Sequence, residues 1–175
     1  AREHIRMYGM EDYIQTRLSD GVAALKPGEA DTILIAGMGG GLVIHILESG
    51  RVICEQAHGL VLQPQSELPK VRRFLMENGY VTEREEMVME DGKYYPMMRV
   101  HFDASAVSHA DSFTEEQELE FRYGKQLAYL RWEVQIQQDI LTQLSGQPAT
   151  EQIAARIDDV KQILAQNARA LAYYE

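Results

Sequence analysis

The chain has 175 residues, 45% of them hydrophobic, and 27 acidic against 17 basic side chains give a formal net charge of −10. That length suits one α/β domain with a small appendage and is enough to bury a core, while no apolar stretch nears the roughly 18 residues of a membrane span. The acidic balance argues against non-specific coating of nucleic acid without forbidding a local basic patch. The lone Cys54 excludes an internal disulfide and suits a reducing cytoplasm, and five scattered histidines without paired ligand spacing predict no metal site.

Residues 14–18 (Ile-Gln-Thr-Arg-Leu) read as a short strand ending at Ser19-Asp20-Gly21, a turn by composition. Lys26-Pro-Gly-Glu29 is a second turn. It leads into a strand over 32–36, inside the run Asp31-Thr-Ile-Leu-Ile-Ala-Gly-Met-Gly-Gly-Gly41. A short β-branched apolar run bounded by Asp and Gly is the pattern of a buried parallel strand. Leu42, Val43, Ile46 and Leu47 then share one helical face, closed by Gly50. A glycine-rich turn at the carboxyl end of such a strand lets backbone approach a ligand or a neighbouring element closely.

Two familiar readings of that turn fail. A dinucleotide fingerprint needs G-x-G-x-x-G, but the third glycine position falls on Leu42 or Ile44, and Glu55 precedes the next strand where a ribose-binding acid should end it. A phosphate loop needs Gly-Lys-Ser/Thr, and no lysine lies between Lys26 and Lys70.

Residues 59–63 form the next strand, stopped by Pro64. Residues 67–78 make an amphipathic helix through Leu68, Val71, Phe74 and Leu75, ended by Gly79. Residues 81–90 and 93–102 flank Asp91-Gly92, a strong hairpin signal. Parallel units followed by one antiparallel hairpin predict a mixed α/β sheet over residues 1–101. Residues 102–113 are small and polar, a linker.

Over 114–175 the period changes. Thr114 and Gln117 make a capping box. Tyr123, Leu127, Leu130, Val134, Gln137, Leu141 and Leu144 form one heptad stripe, Gly146-Gln-Pro148 breaks it, and Thr150 caps a second helix. There Ile153, Ile157, Val160, Leu164, Asn167, Leu171 and Tyr174 repeat the pattern. The expectation is an antiparallel helical-hairpin coiled coil, a shape that also suits a homodimer or a catalytically dead scaffold. Gln137 and Asn167 interrupt the stripes either as register-setting polar residues or as the lining of a solvent-facing slot.

Arg17-Leu-Ser-Asp-Gly21, Ile35-Ala-Gly-Met-Gly-Gly40, Leu62-Gln-Pro64 and Glu90-Asp-Gly-Lys-Tyr-Tyr95, in this order and followed by a helical hairpin, closely resemble the TrmK-type bacterial tRNA adenine-N1 methyltransferases. The resemblance implies a partial Rossmann-like methyltransferase sheet, strands three to seven. It also implies S-adenosylmethionine as cofactor and an adenine at tRNA position 22 as target, with another RNA or a small molecule as the alternative substrate. The family's chain begins with strand one and a Gly-rich loop, then strand two with an acid for the ribose, and neither pattern is present. The expectation is a chain lacking roughly the first third of its parent, judged by ordinary domain size. Such a chain binds cofactor weakly, and its 14–18 strand lacks both neighbours in the family order 3-2-1-4-5-7-6.

The resemblance also implies roles. Asp20, with Gly21, accepts from the cofactor's adenine amino group, against the plain alternative of an Asx-turn. Gly37 and Met38 line its methionine side and the transfer channel, while Gly39 and Gly40 make room for the target base. Gln63 hydrogen-bonds the base edge, or merely caps its strand end. Tyr94 or Tyr95 stacks on a flipped base, or packs within the hairpin. Lys70, Arg72 and Arg73 cluster on the helix after Gln63 and hold tRNA phosphates, or form an ordinary solvated face.

Overall fold

A computed structural model describes residues 1–107, 113–124 and 126–174. Alternation builds its first strand, β1 (Thr32–Met38): Ile33 and Ile35 are buried, and Leu34 on the opposite face is 67% exposed. The glycine turn leads into α2 (Gly40–Ser49), and Gly50 separates this helix from α3 (Arg51–Gln56). Strand β2 (Gly59–Pro64) runs parallel to β1, and α4 (Leu68–Glu77) follows with Pro69 in its first turn, where a missing N–H costs nothing. Strands β3 (Tyr80–Glu90) and β4 (Lys93–Phe102) form the expected hairpin. Its turn has positive φ at both Asp91 and Gly92, the mirror-image turn that matches strand twist. A short α1 (Arg2–Met7) precedes all of these.

The sheet order is β1-β2-β4-β3, with β4 antiparallel to β2. One face carries the core, where Val43, Ile46, Leu47, Cys54, Val71 and Leu75 from the helices meet Ile33, Ile35, Leu60, Leu62, Met98 and Val100 from the strands. The mixed α/β sheet is therefore as the sequence predicts, with one correction. Residues 14–18 form no strand. Leu18 is 99% exposed, and the segment is held instead by the Arg17 guanidinium, which donates to Glu29, Gln15 and the Ala24 carbonyl. A strand needs a paired neighbour, and β1 has none on that side among the described residues.

The C-terminal helices are α5 (Glu115–Tyr123), α6 (Leu127–Ser145) and α7 (Glu151–Tyr174). Thr114 and Gln117 form the predicted capping box. The single helix expected up to Leu144 is two, however, because Gly124 takes φ +60° and ends α5. A side chain there would lie 2.9 Å from Glu85 Oε1 and 3.1 Å from Arg72 Nη2, so the break lets the helices close onto β3 and α4. Tyr123, Leu130 and Ala170 are fully buried between the helices. Asn167 is fully buried too and accepts from the Tyr123 hydroxyl, which resolves it as a buried polar residue rather than the lining of a wet slot. Within the expected 102–113 linker, Ala104–Ala106 is a short 3-10 turn, and residues 108–112 lie outside the described residues.

Candidate active site

The site begins with a β-bulge. The β1–β2 register shifts between Ala36 and Met38, and Gly37 takes φ +74°. Its N–H, lost to the ladder, donates instead to Gln63 Oε1 at 2.8 Å. An N–H demands an acceptor, so this contact fixes the amide orientation and leaves Gln63 Nε2 a buried donor without a partner among the described residues. Space beside Gly37 is open, since a side chain there would meet nothing within 4 Å.

The loop leaving β2 is fastened along the turn. Gln65 N–H donates to the Met38 carbonyl at 2.8 Å, Gly40 N–H to the Ser66 carbonyl at 3.1 Å, and Gly41 N–H to Glu67 Oε2 at 3.0 Å. The first donors of α2, which a phosphate would occupy in a nucleotide loop, are thus already satisfied by protein. The Lys70 ammonium and then the Gly41 N–H hold the Glu67 carboxyl below its ordinary value.

This geometry leaves no room for a target base over Gly40, while Gly39 meets only the Ser66 hydroxyl. The space over Gly40 is filled, because a Cβ would fall 2.5 Å from the Ser66 carbonyl oxygen, and over Gly39 it would sit 3.2 Å from Ser66 Oγ. Open space lies at Gly37 instead, beside the half-buried Met38. Asp20 and Gly21 pack elsewhere on α2, where a side chain at Gly21 would touch Ile46 at 3.0 Å. Ser19 Oγ and the Asp20 main-chain carbonyl build that turn, so the exposed Asp20 carboxylate is not committed to an Asx-turn.

Beyond the loop, a cavity of about 530 Å³ opens between residues 65–69 and the helical hairpin, lined among others by Ser66, Glu67, Arg122, Tyr129 and Glu133. Tyr94 is not among its lining residues. Its ring packs edge-on against Tyr129 and Trp132, at 5.7 and 5.3 Å between centroids, so it supports the wall that Tyr129 presents. Nothing in the stripe pattern distinguished Tyr129 or Glu133, since both sit beside the heptad positions. Ser66 and Glu67 were equally silent, as polar residues after a strand.

The three basic residues of α4 separate sharply. Arg72 is 7% exposed, with its guanidinium donating to both Glu85 oxygens and to the Phe121 carbonyl. It fastens the sheet unit to α5 and is removed from any phosphate surface. Arg73 donates to both Glu118 oxygens and lies 4.9 Å and 5.2 Å from the ring centroids of Phe113 and Phe121. Lys70 pairs with Glu67 and stays 71% exposed. The described residues hold no cluster of three or more His, Cys, Asp or Glu side chains able to bind a metal ion. None of their helices is long and apolar enough to cross a membrane.

Two parallel strands joined through a glycine turn, closed by an antiparallel hairpin in the order 4-5-7-6, define a Rossmann-like methyltransferase sheet. The chain belongs to the methyltransferase-domain family, whose model matches residues 1–98. It is 38% identical over 98 residues to a tRNA (adenine(22)-N(1))-methyltransferase of Bacillus subtilis, a match covering 56% of this chain and 41% of that protein. The chain thus matches less than half the length of this curated relative. The solved structure of the B. subtilis tRNA methyltransferase TrmK is similar with a TM-score of 0.68 and 26% identity, covering 97% of this chain and 75% of that one. A Streptococcus pneumoniae structure, described as a candidate tRNA methyltransferase in complex with S-adenosyl-L-methionine, gives 0.71 and 25%, covering 97% and 74%. An uncharacterized Listeria monocytogenes protein gives 0.74 and 26%, covering 97% and 76%.

Proposed function

We propose that the protein methylates N1 of an adenine in tRNA, at position 22 as the named relative does, with S-adenosylmethionine as the methyl source, in the cytoplasm. The observation that carries this reading is the Gly37 bulge clamped by Gln63, with open space on one side and, at the next strand end, a buried donor that has no partner among the described residues. These residues fit the cofactor. Gly37 and Met38 would flank its methionine end, Gln63 Nε2 offers a donor to an acceptor on the ligand, and the uncommitted Asp20 carboxylate suits an amino group. When bound, the cofactor supplies an electrophilic methyl on a sulfonium. Adenine N1 carries its own lone pair and has no proton to lose, so no general base is required of the chain. What the residues must do is hold position and exclude water.

The test is incubation of the complete gene product with tritiated S-adenosylmethionine and unmodified tRNA, followed by primer extension. The expected result is label in tRNA and a reverse-transcription stop at adenine 22. No label, or label at another position, overturns the reading.

A further inference from the structure

We infer that the cavity between the 65–69 loop and the helical hairpin receives the target base, and that Glu133 is the specificity-determining residue that accepts a hydrogen bond from the exocyclic amine of adenine. The inference rests on the reaction proposed above and adds to it the group that recognises the base. Its first support is position. Gln65, which lines the cavity, donates its N–H to the Met38 carbonyl at 2.8 Å, so the cavity wall is tied directly to the proposed transfer point. Its size, about 530 Å³, is that of a small-molecule site.

The second support is the wall. Tyr129 presents a ring held in place by Tyr94 and Trp132, and a base extruded from a stack is ordinarily held against an aromatic face. The third is an uncommitted carboxylate. Among the described residues the other cavity carboxylates are paired: Glu67 with Lys70, Glu118 with Arg73, Glu115 with Arg169. Among the described residues Glu133 accepts no hydrogen bond. Burial pushes its carboxyl above the ordinary value, with the Arg122 charge opposing. A half-buried carboxylate in that condition is complementary to a ligand that brings N–H donors and positive charge.

Adenine becomes such a ligand as it reacts. The N1 lone pair forms the bond to the methyl carbon while the carbon–sulfur bond breaks and its electron pair goes to sulfur. Positive charge therefore leaves the sulfonium and appears on the base, where it spreads onto the exocyclic amine. A hydrogen bond from that amine to Glu133 strengthens as the methyl moves, which is stabilisation specific to the transition state.

The experiment compares tRNA carrying adenosine at the target position with tRNA carrying purine riboside there, which keeps N1 and lacks the amine. The complete gene product and its Glu133→Ala variant are assayed on both. For the unaltered protein, loss of the amine is expected to lower kcat/KM about 10- to 100-fold, the range of a hydrogen bond to a charged group. Glu133→Ala is expected to lower kcat/KM on adenosine by a similar factor and to change the purine riboside rate much less, so that discrimination shrinks to the part set by the lower nucleophilicity of N1 without the amine. Undiminished discrimination in Glu133→Ala, or equal loss on both substrates, overturns the inference while the proposed reaction stands. If the unaltered protein transfers no methyl to the adenosine tRNA, the reaction itself has failed and the inference falls with it.

Discussion

Neighbouring glycines in one turn carry different burdens. Gly39 has φ −65°, open to any residue, and faces only a rotatable Ser66 hydroxyl. Gly40 faces the Ser66 carbonyl, Val71 and Glu67 at 3.0 Å or less. Gly40→Ala is expected to cost about 1–3 kcal/mol by overpacking, and Gly39→Ala less than about 1 kcal/mol; thermal melts of the two variants distinguish them. The sequence marks the glycine run but not which member the approach of α4 requires, because that approach is set by residues 26 positions away. Gln63 has two tasks. Gln63→Glu keeps an oxygen for Gly37 N–H but puts a carboxylate oxygen where the buried donor was, so methyl transfer should fall about tenfold or more and the melting temperature should fall with it, since an unpaired charge is buried. Gln63→Leu instead orphans the Gly37 N–H and should cost about 1–3 kcal/mol. Burial raises the Cys54 thiol to about 11, keeping it protonated and enclosed at pH 8. It should resist iodoacetamide in the folded protein and react at once in denaturant. Because the unfolded thiol loses its proton first, stability should also decline as pH rises from about 9 toward 11.

At the scale of elements, α4 joins the two halves of the structure. Its sequence spacing places Val71, Phe74 and Leu75 on the core correctly, and Arg72 beside them looks like part of a charged face. It is buried because α5 arrives from 49 residues downstream and places the Phe121 carbonyl over it, with Gly124 lacking the side chain that would block the way. No local pattern encodes such a meeting, although the glycine inside a heptad stripe was its one visible sign. Arg72→Ala leaves the largely buried Glu85 carboxylate and the Phe121 carbonyl without their donor, and loss of one partner of a buried pair costs about 3–5 kcal/mol. Glu118→Ala removes only a half-exposed partner of Arg73 and should cost under about 1 kcal/mol. Urea melts of both variants check the ordering. Lys70 and Arg73 keep the exposure a phosphate contact needs. Lys70→Ala with Arg73→Ala should flatten the salt dependence of tRNA binding, and an unchanged slope would move the RNA surface elsewhere.

For the whole molecule, periodicity and turn chemistry were sufficient where pairing is local: the β3–β4 hairpin, the two-strand parallel unit and the paired C-terminal helices. They failed at residues 14–18, where composition suits a strand but a strand exists only against a partner. The same lack shapes β1 itself. Its outer edge pairs with nothing among the described residues, and Leu34 on its uncovered face is 67% exposed, with Leu18 and Tyr13 at 99% and 83% elsewhere in the chain. An unpaired edge beside exposed apolar side chains is a template for association with another chain. The 175-residue chain is therefore expected to self-associate as its concentration rises, visible as a growing mass in light scattering after size exclusion. Leu34→Lys places a charge at that strand without disturbing the core, because its neighbours Ile33 and Ile35 point inward and Leu34 does not. The variant should melt within about 0.5 kcal/mol of the parent, as surface changes do, and remain at lower mass across the same concentrations. If its mass rises just as steeply, association runs through another surface, and the β1 edge is not the feature that governs how this chain behaves in solution.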